Sequence, residues 1–214
     1  YRVNHINFEN GKIVSVDCDV NGSTEKIEGD IFASSMPMND LVAGFEGIDV
    51  PQNIRDIAKG LPFRDFITVG LLVDKLNLEN KTDIKTLGNI VPDCWIYVQE
   101  PDVKMCRIQI FNNWSPYLVK DVKDKVWIGL EYTCSEGDKY WNMTDKEFID
   151  FAIDELVSMN IISKDQVDDA HRERIKKAYP AYFDTYKDID KLIEYINNID
   201  NLYCIGRNGQ HRYN

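Results

Sequence analysis

The residues best suited to chemistry sit at the end of the chain, where Ile205-Gly206-Arg207-Asn208-Gly209 closes a short apolar run and leads into His211, Tyr213 and Asn214. Glycines at 206 and 209 remove the Cβ atoms that would hold a ligand away from the backbone, so N–H groups there can approach an anion. Arg207 adds a cation, and His211, Tyr213 and Asn214 add donors. A plain turn after an edge strand, with Arg207 solvated, accounts for the same spacing equally well. Arg107, between Cys106 and Ile108, is the other pointed candidate: an arginine carried on a strand can face a cavity and bind phosphate or carboxylate. Alternation along that strand makes a solvated, outward Arg107 the simpler expectation. Trp95, Tyr97, Trp114, Tyr117, Trp127, Tyr132, Tyr140 and Trp141 offer ring faces on which a sugar or planar substrate stacks, although most aromatic side chains build core. No Ser-His-Asp order, confined carboxylate pair or H-E-x-x-H is visible, so hydrolase mechanisms lack support and no catalytic residue is assigned. His5 and His171 sit in bland contexts, and the acids Asp165, Asp168 and Asp169 read as a solvated face rather than a metal site.

These residues need elements to position them. Residues 1–36 read as a three-stranded meander, because Asn10-Gly11 and Asn21-Gly22 tolerate the positive φ of tight hairpins between apolar runs. The run Ile31 to Met36 lacks alternation and is expected to be a strand buried on both faces. A short helix or turn starts near Asn39, and the stretch through Gly47, Pro51 and Gly60 shows no strong period. Four antiparallel strands are expected around 67–73, 94–98, 105–111 and 125–132. Thr144 with Glu147 forms a capping box, with Phe148, Ala152, Leu156 and Met159 at helical spacing behind it. Ser163 with Gln166 caps a shorter helix, residues 171–178 run extended, Ile189 to Asn197 is helical, and 201–205 is a short buried strand.

Composition bounds the partners. The chain has 214 residues, 43% of them hydrophobic, and a formal net charge of −11. Disorder is excluded, and like charge makes nucleic acid an unfavourable partner. No apolar run reaches the ~20 residues that span a bilayer. Five scattered cysteines without a CxxC pair suggest neither a disulfide framework nor a zinc knuckle, and reduced thiols in a cytoplasm are expected. A start at Tyr1 and an end inside the Gly-containing motif lead us to expect a fragment of a longer protein.

The stretch Ile205-Gly206-Arg207-Asn208-Gly209-Gln210-His211-Arg212-Tyr213-Asn214, preceded by Ala178-Tyr179-Pro180-Ala181-Tyr182, resembles the C-terminal flavin-binding segment of the UDP-galactopyranose mutase, flavin amine oxidase and protoporphyrinogen oxidase group. Val3-x-x-Ile6, Gly11-x-Ile13-x-x-Val16 and Gly29-Asp30-Ile31-Phe32-Ala33-Ser34-Ser35-Met36-Pro37 also resemble the stretch where that group leaves its FAD-binding domain for its substrate domain. The resemblance is tight at the two ends and loose between about residues 60 and 145. It implies FAD as cofactor, contacted by Val3, Gly206, Arg207, Asn208, Gly209, His211 and Tyr213. It also implies a small-molecule substrate, with a sugar nucleotide as one candidate class, met by Arg107, Trp95, Tyr179 and Tyr182. For Val3 a core role is the simpler reading. The G-x-G-x-x-G that opens a dinucleotide fold is absent from this sequence, so an isolated fragment is expected to lack flavin. The expected class is α+β: residues 1–45 and 183–214 belong to a split, Rossmann-like FAD-binding domain, and 46–182 form an antiparallel-sheet substrate domain with helices. The chemistry implied is flavin-mediated redox or sugar-nucleotide isomerisation. The alternative from another class is a cofactor-free carbohydrate-binding or interaction module; capture of carbohydrate by such a module requires several Trp and Tyr rings coplanar and exposed on one surface.

Overall fold

A computed structural model describes residues 1–213; Asn214, one of the tail donors named above, lies outside the described residues. In chain order the first elements are β1 (Arg2–Glu9), β2 (Lys12–Val20), β3 (Ser23–Glu28), β4 (Phe32–Ser34), α1 (Met38–Ala43), β5 (Phe45–Glu46) and α2 (Gln52–Lys59). Next come β6 (Phe63–Val73), β7 (Trp95–Tyr97), β8 (Arg107–Ile110), α3 (Phe111–Trp114), β9 (Val126–Cys134), α4 (Lys139–Asn142) and α5 (Asp145–Ser158). The last are β10 (Val167–Pro180), α6 (Ile189–Asn197), β11 (Leu202–Cys204) and α7 (Gly206–Gln210). The chain forms two compact units, residues 1–64 with 177–214, and residues 65–176.

In the first unit the meander forms as the two Asn-Gly dipeptides require. Asn10 and Gly11 have φ of 51° and 78°, Asn21 and Gly22 53° and 83°, the pair of left-handed residues that matches a hairpin to the strand twist. β1 pairs antiparallel with β2 and, over two residues, parallel with β5. Ile6, Phe8 and Ile13 then meet Leu41, Ile54, Leu192 and Ile196 in one core. α2 occupies part of the stretch that shows no strong period in the sequence. Its apolar Ile54, Ile57 and Ala58 keep helical spacing, but charged and polar neighbours dilute them. β4 departs from expectation: it is half-exposed, and Ile31 beside it is 72% exposed. The reason is its setting, since β4 has one neighbour, the parallel strand β11, in a two-stranded sheet. Asn201, just before β11, ties this pair to the meander. Its amide accepts from the Ile13 N–H (3.1 Å) and donates to the Ile13 and Asp30 carbonyls (2.8 and 3.1 Å).

The second unit is built on a sheet in the order β10-β6-β9-β8-β7, with antiparallel pairing of β6 with β9, β9 with β8 and β8 with β7. The sheet thus has five strands, one more than expected, because residues 167–180 join it as β10. One face carries Ile67, Val69, Leu71, Ile128 and Leu130, which pack with Phe148, Ala152 and Leu156 of α5. Fully burying side chains of this size contributes about 1.5–3 kcal/mol each. α5 begins at the expected capping box: the Glu147 N–H donates to Thr144 Oγ1 (3.3 Å), and the Thr144 N–H to Glu147 Oε2 (2.8 Å). Arg172 of β10, with a side chain 0% exposed, locks the approach to that helix by donating to the carbonyls of Tyr140, Trp141, Met143 and Thr144.

Candidate functional site

The strand period of two gives the sheet of the second unit a second face, opposite the α5 core. Register places Tyr97 beside Arg107, Arg107 beside Glu131, and Glu131 beside Thr68; Trp95 lies beside Gln109, Gln109 beside Gly129, and Gly129 beside Gly70. Glycine at 129 leaves room for the Phe111 ring, which a Cβ there would meet at 2.7 Å. Polar groups therefore concentrate at the Arg107 end of this face and aromatic rings at its margins.

Arg107 is neither outward nor solvated. It is 9% exposed, and its Nε and Nη2 both reach Glu131 Oε2, while Gln109 Nε2 donates to Glu131 Oε1. Glu131 is 6% exposed, so this is a buried ion pair whose carboxylate uses both oxygens. The guanidinium also lies 4.7 Å from the Trp95 ring centre, 5.7 Å from Phe66 and 6.0 Å from Tyr97. Trp95 and Tyr97 have nearly parallel rings, 3° apart in plane with centres 6.3 Å apart, and Trp114 meets Trp95 edge-on at 6.1 Å. These three rings remain 41%, 68% and 51% exposed, whereas Tyr132 and Trp141 are core.

In the first unit the tail is a short helix, α7, rather than an open loop. Gly206 takes φ +70°, the left-handed turn into α7, and a Cβ on Gly209 would sit 2.5 Å from the Ser34 carbonyl, so Gly206 serves the turn and Gly209 the packing of the chain's own backbone against the end of β4. Arg207 is exposed and stacks on two rings, 4.7 Å from Tyr179 and 4.8 Å from Tyr213, with its Nε donating to the Tyr213 carbonyl. The Tyr213 N–H donates to the Tyr182 hydroxyl at 2.6 Å. Asn208 donates to the Lys177 carbonyl, and its Oδ1 is buried without a partner. His211 is wholly buried: Nε2 donates to the Ala181 carbonyl at 3.0 Å, the ring packs on Phe63 and Tyr186, and Nδ1 has no partner. Burial holds its pKa below the usual 6.5. A cavity of about 230 Å³ beside the tail is lined by Met38, Ile193, Ile196, Cys204, Gln210 and Arg212.

The structure thus gathers Arg207, Tyr213, Tyr179 and Tyr182 into one cluster with His211 beneath, and Arg107 and Trp95 into another. Val3 stands apart on β1, opposite Cys18 and half-buried against the core. Glu131 and Gln109 are the members that reading the sequence does not single out. The signal was present: an acid inside the apolar run Trp127 to Tyr132 needs a partner, and Arg107 is a basic residue inside a comparable run. Among the described residues no three His, Cys, Asp or Glu side chains are grouped to hold a metal, and no helix is long and apolar enough to cross a membrane.

A protein in solved form that matches this arrangement is a reduced UDP-galactopyranose mutase, with 21% identity and a TM-score of 0.76 over 100% of this chain and 41% of that one. A protein from Exiguobacterium sp. 255-15 described as a protoporphyrinogen oxidase matches with 13% identity and a TM-score of 0.60, over 96% of this chain and 41% of its own. Wild-type putrescine oxidase bound to putrescine matches with 10% identity and a TM-score of 0.62, over 98% of this chain and 44% of its own. The chain shares their fold. It spans well under half of the length of each. No protein-family model and no curated protein matches the sequence.

Proposed function

We propose that this chain is part of an FAD-dependent enzyme, with the cofactor held in part by the first unit and the substrate met by the sheet of the second. The observation that carries this reading is the likeness of the whole chain, rather than one half of it, to a reduced UDP-galactopyranose mutase. The parallel pair β4–β11 adds support. Parallel sheets are normally covered on both faces, and here Ile31, Tyr203 and Ile205 are 72%, 55% and 47% exposed, as befits part of a larger, split dinucleotide-binding sheet.

The residues of the tail fit such a cofactor in part. Arg207 presents an exposed, ring-braced cation for a diphosphate, and Asn208 carries a buried amide oxygen that a ligand donor can satisfy. Tyr213, Tyr179 and Tyr182 orient Arg207, and His211 anchors the segment through Ala181. When bound, flavin supplies the hydride or nucleophilic chemistry, and the protein supplies orientation and a dry pocket. On the sheet, Trp95 and Arg107 belong to the face offered to a small-molecule substrate, a sugar nucleotide among the possible classes. Oxidoreductase and mutase chemistry are both compatible with these residues. A second reading, a cofactor-free carbohydrate-binding module, is favoured by the parallel, exposed rings of Trp95 and Tyr97.

Arg207→Ala separates these readings. Losing a charge-assisted contact of about 1.5 kcal/mol weakens FAD retention by roughly tenfold. Unchanged retention, measured by equilibrium dialysis of the protein expressed from its complete gene, contradicts the assigned role.

A further inference from the structure

Cations are outnumbered in this chain, 25 Lys and Arg against 36 Asp and Glu, and cations of both units have found acids: Lys125 meets Asp74 and Asp168, Lys146 meets Asp150, Lys164 meets Asp154 and Lys191 meets Asp188. Two cations left unmatched at one cavity of so acidic a chain need a reason. Arg55 and Lys59 are such a pair. They lie one turn apart on α2, on the same side of the helix. Both line a cavity of about 430 Å³, within the range of small-ligand sites, whose walls also include Asn39, Asp40, Val42 and Ala58. Among the described residues neither makes an ion pair, although the half-buried Arg55 is held in place by its Nε, which donates to the Val50 carbonyl at 3.3 Å. The nearby acids are already engaged. Asp56 of α2 accepts from Gln52 Nε2 at 2.8 Å, and Asp40 on the cavity wall is paired with Lys177. Asn39 Oδ1 accepts from the Asp40 N–H at 2.9 Å, so its Nδ2 stays available as a donor. The cavity therefore carries two uncompensated positive charges and an amide donor. A monocarboxylate matches one of the cations, whereas a tetrahedral dianion spans both, with the planar guanidinium on two oxygens and the ammonium on a third.

We propose that this cavity of the first unit binds the dianionic phosphoryl group of a small phosphate, free or esterified, through Arg55, Lys59 and Asn39. None of these residues belongs to the Arg207 cluster, so the proposal stands or falls apart from the cofactor reading.

The test is an NMR titration of the full chain carrying Arg207→Ala, a background that removes the exposed cation of the tail from the count. The probes are inorganic phosphate, n-butyl phosphate and butyrate, at constant ionic strength and about pH 8, where both phosphates are dianions. At least one phosphate is expected to shift the amides of Asn39, Arg55 and Lys59 saturably, with butyrate bound about tenfold more weakly or worse. Tighter butyl phosphate identifies an ester as the ligand and tighter inorganic phosphate the free ion; either result supports the site. Arg55→Met is expected to weaken phosphate binding about tenfold, and Lys59→Met, which removes the more exposed cation, about threefold. Lys26→Met removes an exposed lysine of β3 in the same unit that makes no ion pair among the described residues, and should leave the affinity within about twofold of the parent. Absence of saturable shifts at these amides, butyrate bound as tightly as phosphate, or equal weakening by Lys26→Met and Lys59→Met overturns the proposal. Should Arg55→Met fail to fold, the comparison of Lys59→Met with Lys26→Met decides alone.

Discussion

Replacing Arg172 by Met should loosen the helix that backs the sheet. The guanidinium, fully buried, donates to the carbonyls of Met143 (2.6 Å), Tyr140 (2.7 Å), Thr144 (3.2 Å) and Trp141 (3.3 Å), and lies 4.3 Å from the centre of the Phe148 ring. Two of these carbonyls keep a donor in the variant, since Arg174 also reaches Trp141 O (3.0 Å) and Met143 O (2.7 Å). The Thr144 carbonyl still accepts the Phe148 N–H (3.0 Å), so the Tyr140 carbonyl is the one that loses its Arg172 donor without a replacement, at about 1–3 kcal/mol. Met removes the desolvation cost of a buried cation, the same cost that lowers the Arg172 pKa, and this offsets part of the loss. With the lost packing on the Phe148 ring included, the net expectation is about 2 kcal/mol. The control, Arg174→Met, alters a side chain 32% exposed and should cost about 1 kcal/mol. Native-state hydrogen exchange of the α5 amides reads the effect locally, without assuming that both units unfold together. Protection in Arg172→Met within about 0.5 kcal/mol of wild type, or less perturbed than in Arg174→Met, refutes the argument.

Two further substitutions test the tail. The His211 pKa is lower in the folded chain than its ordinary value, so below about pH 6.5 the unfolded state binds the extra proton and stability falls with pH. His211→Asn should flatten that acid slope in chemical denaturation, and an unchanged slope would show that the ring titrates freely. Gly209→Ala should destabilise the first unit by about 1–3 kcal/mol, because the added Cβ meets a backbone carbonyl that has little room to move. A thermal midpoint equal to wild type would place Gly209 away from Ser34.

Much of the fold was legible because it rests on local signals. Two Asn-Gly turns gave the meander, alternation gave the sheet strands, and Thr144 with Glu147 gave the start of α5. α2 escaped because its three buried residues are outnumbered by polar ones, and β4 was read as buried from its apolar character although it gains only β11 as a neighbour. The site residues split along the same line. Arg107 and Trp95 stood out by type, but the partner that fixes Arg107 is Glu131, 24 residues away in sequence, and only strand register brings the two together. The glycines of the tail suggest ligand approach, while the folded chain uses Gly206 for a left-handed turn and Gly209 to admit its own backbone, a distinction that for Gly209 depends on the position of Ser34 and not on spacing.

The most direct measurement of the central claim is the ratio of bound flavin to protein in material purified from the complete gene, read from the visible spectrum and confirmed by release of FAD on denaturation. The account predicts close to one FAD per chain. A colourless protein that still fails to take up added FAD contradicts it.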